Sequence, residues 1–266
     1  MLNNSIIYQV DAFAEEAFKG NPAGVMLLKE EVSEAWMQNM AMEMNLSETA
    51  FVFPKNDYFE IKYYTPTVEI PLCGHATLAS AHIMYSVGLV PTDRPIHFKA
   101  KGGDLVIHYE NGFIAMEFPE YQVSATEIPV NFESLLGFMP KEMYKSEANW
   151  FMAIAENQKN IENCSPNFEA LNANGLGHLM ISAEATHKEA DFVVRCFVPE
   201  SGINEDPVTG SAHCALTPLW AKKLNKNNLV SHQISKRGGA LMLNYSNNKV
   251  KIKGKAITVF KADLSI

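Results

Sequence analysis

"YYTPTVEIPLCGHATLAS" at residues 63–80 and "CFVPESGINEDPVTGSAHCAL" at residues 196–216 decide the fold, because the second repeats the first. With three extra residues placed in the second, Pro66 meets Pro199, Glu69 meets Glu205 and Pro71 meets Pro207. Gly74 then meets Gly210, and Ala76 meets Ala212. Each copy runs a strand, a Pro-containing loop, a Gly turn and a helix of small residues. An internal duplication of this kind implies two similar domains related by a pseudo-twofold axis. If the halves face each other, both Gly turns open onto one cleft, and the first amides of each helix there make an anion site. Such clefts are where small-molecule pockets prefer to form.

The flanking sequence supports an α+β reading. "SIIYQVDAF" and "AGVMLL" have the apolar bias of strands, separated by an Asn21-Pro22 turn signal. Residues 32–44 place apolar side chains at helical spacing, with Ser33 as N-cap. "TAFVF" and "YFEIKYY" return to a period of two, and "GHATLASAHIMYSVGL" reads as a tightly enclosed helix ending at Gly88. An Asn111-Gly112 pair inside "DLVIHYENGFIAMEF" marks a hairpin. The theme restarts after about residue 118 with "NWFMAIAE", "HLMISA" and "DFVVRCFVP" as strands, then "GSAHCALTPLWAKKL" as a helix that Pro218 complicates. Strand-like "VSHQI", "ALMLNYS", "KVKIKG" and "AITVFKADL" finish the chain.

Composition narrows the function. Of 266 residues, 47% are hydrophobic and 20% charged, which is ordinary for a globular protein. The net charge of −8, from 30 acids against 22 bases, and the lack of any basic run make nucleic acid an unsuitable partner. No apolar stretch approaches the ~18–20 residues that span a bilayer, and "MLNNSIIYQVDAF" does not read as a signal peptide. Cys73, Cys164, Cys196 and Cys214 are scattered, which suggests reduced thiols in a cytoplasmic protein.

Three constellations carry chemistry. "NEDPVTGSAH" offers backbone amides and the Ser211 hydroxyl as helix cap or ligand donor, or is simply a plain helix start. "PLCGHATLASAH" puts His75 in the first turn of a helix, where the dipole lowers its pKa and favours a neutral ring able to relay a proton, or where the ring is simply half-buried and bonded to a loop carbonyl. His82, two turns on, reads as packing. "NLSETAFV" sets Glu48 before an apolar strand, where it reads alone as a surface residue, or, at the edge of a dry cleft, as a carboxyl whose pKa is raised into the range of a general base. No dinucleotide fingerprint, P-loop or His-Glu-x-x-His is present, and the spacing of His and Cys matches no zinc site. The expectation is an enzyme with no cofactor and no metal, one that moves a proton.

"QVDAFAEEAFKGNPAGV", "MNLSETAFVF", "YYTPTVEIPLCGHATLASAH" and "EDPVTGSAHCAL" together resemble the phenazine-biosynthesis PhzF-like isomerases, of the wider diaminopimelate epimerase-like fold. The resemblance implies two domains, each a curved, mostly antiparallel sheet around a central helix. Residues 1–118, completed by a strand at about 256–266, would form one, and residues 119–255 the other. It implies a homodimer acting on a small carboxylate-bearing substrate by shifting a proton between carbons. Glu48 maps onto the family's acid/base, with His75, Asp206 and Ser211 as further catalytic residues. Gly74 and Gly210 would hold the substrate carboxylate through their amides, with Cys73 and Thr209 beside them. Relatives of this fold that racemise amino acids use two opposed thiols, but here Thr209 stands where the second would be. A one-thiol epimerase pairing Cys73 with a carboxylate, and a non-catalytic carboxylate-binding protein, remain the alternatives.

Overall fold

The computed structural model describes residues 5–265, so Met1–Asn4, part of the stretch read for a leader, and Ile266 lie outside the described residues. The chain forms two compact units: one runs to Glu117 and resumes at Lys253, and the other spans Phe118–Ile252. Among the described residues no helix is long and apolar enough to cross a membrane.

The first unit opens with strands β1 (Ile6–Ala12) and β2 (Asn21–Leu27), an antiparallel pair. Asn21-Pro22 is therefore the start of a strand and not a turn. Pro22 is tolerated there because the parallel ladder to the next strand, β3, begins only at Ala23. Helix α1 (Glu34–Met44) makes the crossover to β3 (Glu48–Pro54). Ser33 caps it, accepting from the Trp36 amide, and Asn45 ends it in the left-handed region. Strand β4 (Phe59–Tyr64) pairs with β3 and turns back as the two-residue β5 (Glu69–Ile70), which delivers the chain to helix α2 (Gly74–Ser86). Strands β6 (Ile96–Ala100), β7 (Gly103–Glu110) and β8 (Phe113–Pro119) follow, with Asn111 and Gly112 both at positive φ in the β7–β8 turn. The last strand, Ala256–Asp263, returns to pair with β1.

The second unit repeats these pairings in order. Strands β9 (Val123–Ala125), β10 (Glu142–Ser146) and β11 (Phe151–Ile154) are antiparallel, and three short helices that the sequence pattern does not announce, α3 (Phe132–Leu136), α4 (Gln158–Glu162) and α5 (Phe168–Ala173), intervene. Strand β11 runs parallel to β12 (Leu179–Glu184), as β2 does to β3, and β12 pairs with β13 (Phe192–Val198), as β3 does with β4. The duplicated stretches match in register: Tyr64 opposes Glu69 in one, and Phe197 opposes Glu205 in the other. The three extra residues are absorbed by a 3₁₀ turn at Pro199–Ser201 and by Gly202 at φ 87° before β14 (Ile203–Asp206). Helix α6 (His213–Leu224) then leads to β15 (Asn228–Gln233), parallel to β13 just as β6 is parallel to β4. Strands β16 (Gly239–Ser246), β17 (Lys249–Gly254) and β18 (the returning Ala256–Asp263) complete the count.

Each unit has its own core. In the first, Ile7, Met26, Leu28, Met37, Phe51, Phe53 and Tyr64 form one cluster, and α2 packs against β1, β2, β3 and β18 with ten of its residues buried. In the second, Phe132, Leu136, Leu179, Ile181, Val193 and Phe197 belong to a larger cluster. Helix α6 continues through Pro218, whose ring removes one N–H from the ladder. The Cys214 carbonyl left over by that loss accepts from the Tyr121 amide at 2.9 Å.

Gly102 holds the turn ahead of α2. Its amide donates to the Pro71 carbonyl at 2.7 Å, and a Cβ there would stand 2.9 Å from both that oxygen and the Leu72 Cβ. Because the clash is with backbone, Gly102→Ala should lower stability by about 1–3 kcal/mol, read as a reduced denaturation midpoint with unchanged far-ultraviolet dichroism.

Candidate active site

The first unit brings Glu48, Cys73 and His75 together. Glu48 is the first residue of β3, placed by the left-handed Asn45 that ends α1 three residues earlier. Cys73 is the N-cap of α2 and His75 its second residue, so the turn after β5 aims both at the start of β3. His75 lies between the other two: its Nε2 is 3.2 Å from Glu48 Oε2, and its Nδ1 is 3.4 Å from Cys73 Sγ. Ser47 Oγ sits 3.5 Å from the same Nε2 and donates to Asn21 Oδ1. Cys73 and His75 are each 7% exposed, and one ligand atom from each of the three residues lies within 4.8 Å of the others. Glu48 Oε2 meets the ring as an ion-pair contact outside hydrogen-bond geometry and is buried with no hydrogen-bond partner.

The electrostatics reverse two expectations. Burial alone would raise Glu48, but the His75 charge and contacts from His75, Ser47 and Cys73 outweigh it and hold the carboxyl below its usual value. Burial likewise works against a charged His75, yet Cys73 and Glu48 overcome it and raise the ring well above an ordinary imidazole. The reason is magnitude. An opposite charge near 4 Å is worth on the order of 4 kcal/mol at an effective dielectric of about 20, whereas a helix end contributes about 0.3–1 kcal/mol. Burial, and then Glu48, raise Cys73, against the charge and contact of His75, which lower it.

The second unit assembles the other half of the sequence prediction. Asp206, at the end of β14, accepts from the Thr209 hydroxyl. Gln233, 1% exposed, fastens this turn: its Oε1 accepts from the Thr209 amide at 2.8 Å, and its Nε2 donates to the Asp206 carbonyl at 2.7 Å. His213 completes the hold, with Nδ1 2.9 Å from the Thr209 carbonyl and Nε2 2.8 Å from Ser231 Oγ. The ring thus donates through Nδ1 and accepts at Nε2. Gly210 is buried and Ser211 exposed. Ser211 does not cap α6, because the His213 and Cys214 amides already donate to the Gly210 and Ser211 carbonyls in a tight first turn. Glu205, which shares the acidic run with Asp206, is committed elsewhere, in a two-bond fork with Arg195 at 2.8 and 2.9 Å. Gln233 and Ser47 are the residues that sequence reasoning missed; Ser47 was adjacent to Glu48, whereas Gln233 lies 24 residues from the turn it serves.

With the geometry described, comparison with known proteins places the chain. The sequence profile of the family described as phenazine biosynthesis-like protein matches residues 10–262. The chain belongs to that family. An uncharacterized isomerase of Halalkalibacterium halodurans is 41% identical over 259 residues, 97% of each chain. A crystal structure titled as a phenazine biosynthesis protein of the PhzF family from Enterococcus faecalis superposes with a TM-score of 0.94 at 37% identity, covering 98% of this chain and 99% of that one. A hydroxyproline epimerase from Agrobacterium vitis shares the fold at 10% identity and a TM-score of 0.62, with 99% of this chain and 94% of that one covered.

Two titrations follow. In the wild type, His75 should stay protonated through neutral pH, whereas in Glu48→Gln its pKa should fall as burial goes unopposed by the carboxylate; imidazole carbon–proton NMR across a pH series reads both. His213 is buried and pushed down to about 4, while the unfolded chain takes that proton near 6.5. The unfolded state therefore binds more protons between those values. Stability is complete above about pH 6.5 and falls by about 3 kcal/mol as pH drops toward 4. Urea midpoints at pH 7 and 4.5 should show this loss, and His213→Gln should show a flatter dependence.

Proposed function

We propose that this family member is an isomerase that shifts a proton between carbons of a small carboxylate-bearing metabolite, with Glu48 as acid and base and no cofactor needed for the step. The observation that carries the reading is the enclosed carboxylate of Glu48, whose Oε2 lies 3.2 Å from His75 Nε2 in an ion pair without a hydrogen bond. No hydrogen bond has to break for that oxygen to take a proton once the charge of the ring is drawn away. At rest the imidazolium makes Glu48 a weak base. A bound substrate carboxylate near His75 would compete for its charge, raise Glu48 and bring it nearer the pKa that proton transfer favours.

Gly74 suits the role of anion donor, because no heavy atom stands within 4 Å of where its Cβ would be, so a ligand can approach the first turn of α2 closely. Asp206 and Ser211, with the Gly210 amide, enter through the family resemblance, and the rigid Gln233-bound turn supports their use as fixed groups. The isomerase name of the Halalkalibacterium relative agrees with the reaction class. A second reading makes Cys73 the proton carrier of a one-thiol epimerase. Its support is the thiol's place 3.4 Å from His75 Nδ1, across the ring from Glu48.

Incubation with a metabolite extract in deuterated buffer tests both. Wild-type protein should place deuterium on carbon of one carboxylate-bearing metabolite, and Glu48→Gln should lose this by about 10²–10⁴-fold. Exchange undiminished in Glu48→Gln sinks the Glu48 mechanism. Exchange that instead vanishes in Cys73→Ser, with inversion at the labelled carbon, establishes the thiol reading.

A further inference from the structure

Side chains 25 residues apart in the chain put an oxygen, a sulfur and a nitrogen donor within 4.8 Å of one another at Glu48, Cys73 and His75. Ordinary zinc bond lengths of about 2.0–2.3 Å place neighbouring ligand atoms of a tetrahedral site about 3.3–3.6 Å apart. Zinc takes one ring nitrogen: Nε2 with Glu48 Oε2 at 3.2 Å already supplies one edge near that spacing, whereas Cys73 Sγ lies 3.4 Å from the other nitrogen, Nδ1. Closing the triangle needs a side-chain movement that brings the sulfur and the carboxylate to the same ring nitrogen. Mixed sulfur, nitrogen and oxygen donors suit zinc and not magnesium or calcium, which take oxygen.

We propose that Glu48, Cys73 and His75 form a zinc site with three protein ligands and one open position, and that filling it inhibits the enzyme. Zinc enters as a divalent cation, and two protons leave to solvent, one from the Cys73 thiol and one from the His75 imidazolium. The positive end of the α2 dipole opposes a cation only weakly, and two anionic ligands outweigh it. With Glu48 and His75 both coordinated, neither the carboxylate nor the ring remains available to move a proton. Binding stands independently of the proposed reaction; only the inhibitory role rests on it.

The test uses the full-length protein and the metals alone. Cobalt(II), as a visible stand-in for zinc, should bind one per chain with a thiolate-to-cobalt charge-transfer band that zinc erases and magnesium does not. Cys73→Ser should lose the band and weaken zinc by about 100-fold or more, since even outer-shell losses cost 10–100-fold; Cys164→Ser should change neither. In the wild type, stoichiometric zinc should also shield Cys73 from alkylation, located by peptide mass, which needs no variant to fold. No saturable one-to-one binding, or binding unchanged in Cys73→Ser with Cys73 still alkylated, overturns the site. One zinc per chain bound through Cys73, with proton exchange on carbon undiminished, overturns the inhibitory role. Zinc bound through Cys73 by a protein that exchanges nothing when metal-free supports the site and counts against the isomerase reading instead.

Discussion

A helix wrapped by strands has no side to give to water, and the first unit is organised around that constraint. Helix α2 meets it with Ala76, Ala79 and Ala81, all fully buried, which let β1, β2, β3 and β18 approach closely. Two of its buried hydroxyls, those of Thr77 and Ser80, donate back to the Cys73 and Ala76 carbonyls at 2.7 Å. Those bonds lock the first turns, and with them the direction of His75. The candidate site is thus built on the buried first turn of an enclosed element, and a catalytic group there inherits the rigidity of the core.

The charge arrangement follows from the same enclosure. A buried carboxylate and a buried imidazole each lose hydration, and neither would ionise alone. Placed 3.2 Å apart they ionise together. The second unit solves its polar burial differently: His213 stays neutral, and Gln233 satisfies the loop with amide groups. One half of the duplication therefore carries paired charge at its helix start, and the other carries neutral hydrogen bonds.

Much of this was legible in the residues. Ser33 as a cap, the Asn111-Gly112 hairpin and the repeated strand–turn–helix rest on local chemistry, and local chemistry survives in a sequence. Asn21-Pro22 misled because a turn signal and the unpaired first residues of a strand look alike without knowing the neighbour. The directions at Glu48 and His75 were misread for a related reason. Each was judged against burial or a helix dipole alone, whereas the deciding partners were neighbouring side chains: His75, 27 residues on, for Glu48, and Cys73 with Glu48 for His75. Gln233 was silent for the same cause, since a buried amide in a strand carries no motif.

The two copies of the hairpin also differ in how firmly they are tied. At the repeated acidic position, Glu69 meets Lys101 at 3.1 Å, a lysine 67% exposed, and such pairs add little. Glu205 is gripped by both arms of Arg195, which also donates to the Ile161 and Cys164 carbonyls. Local opening is therefore less costly at β5 than at β14. The repeat thus carries a pliant strand and a stiff one, and of the two it is the strand leading toward Cys73 and His75 that can adapt its shape to a ligand.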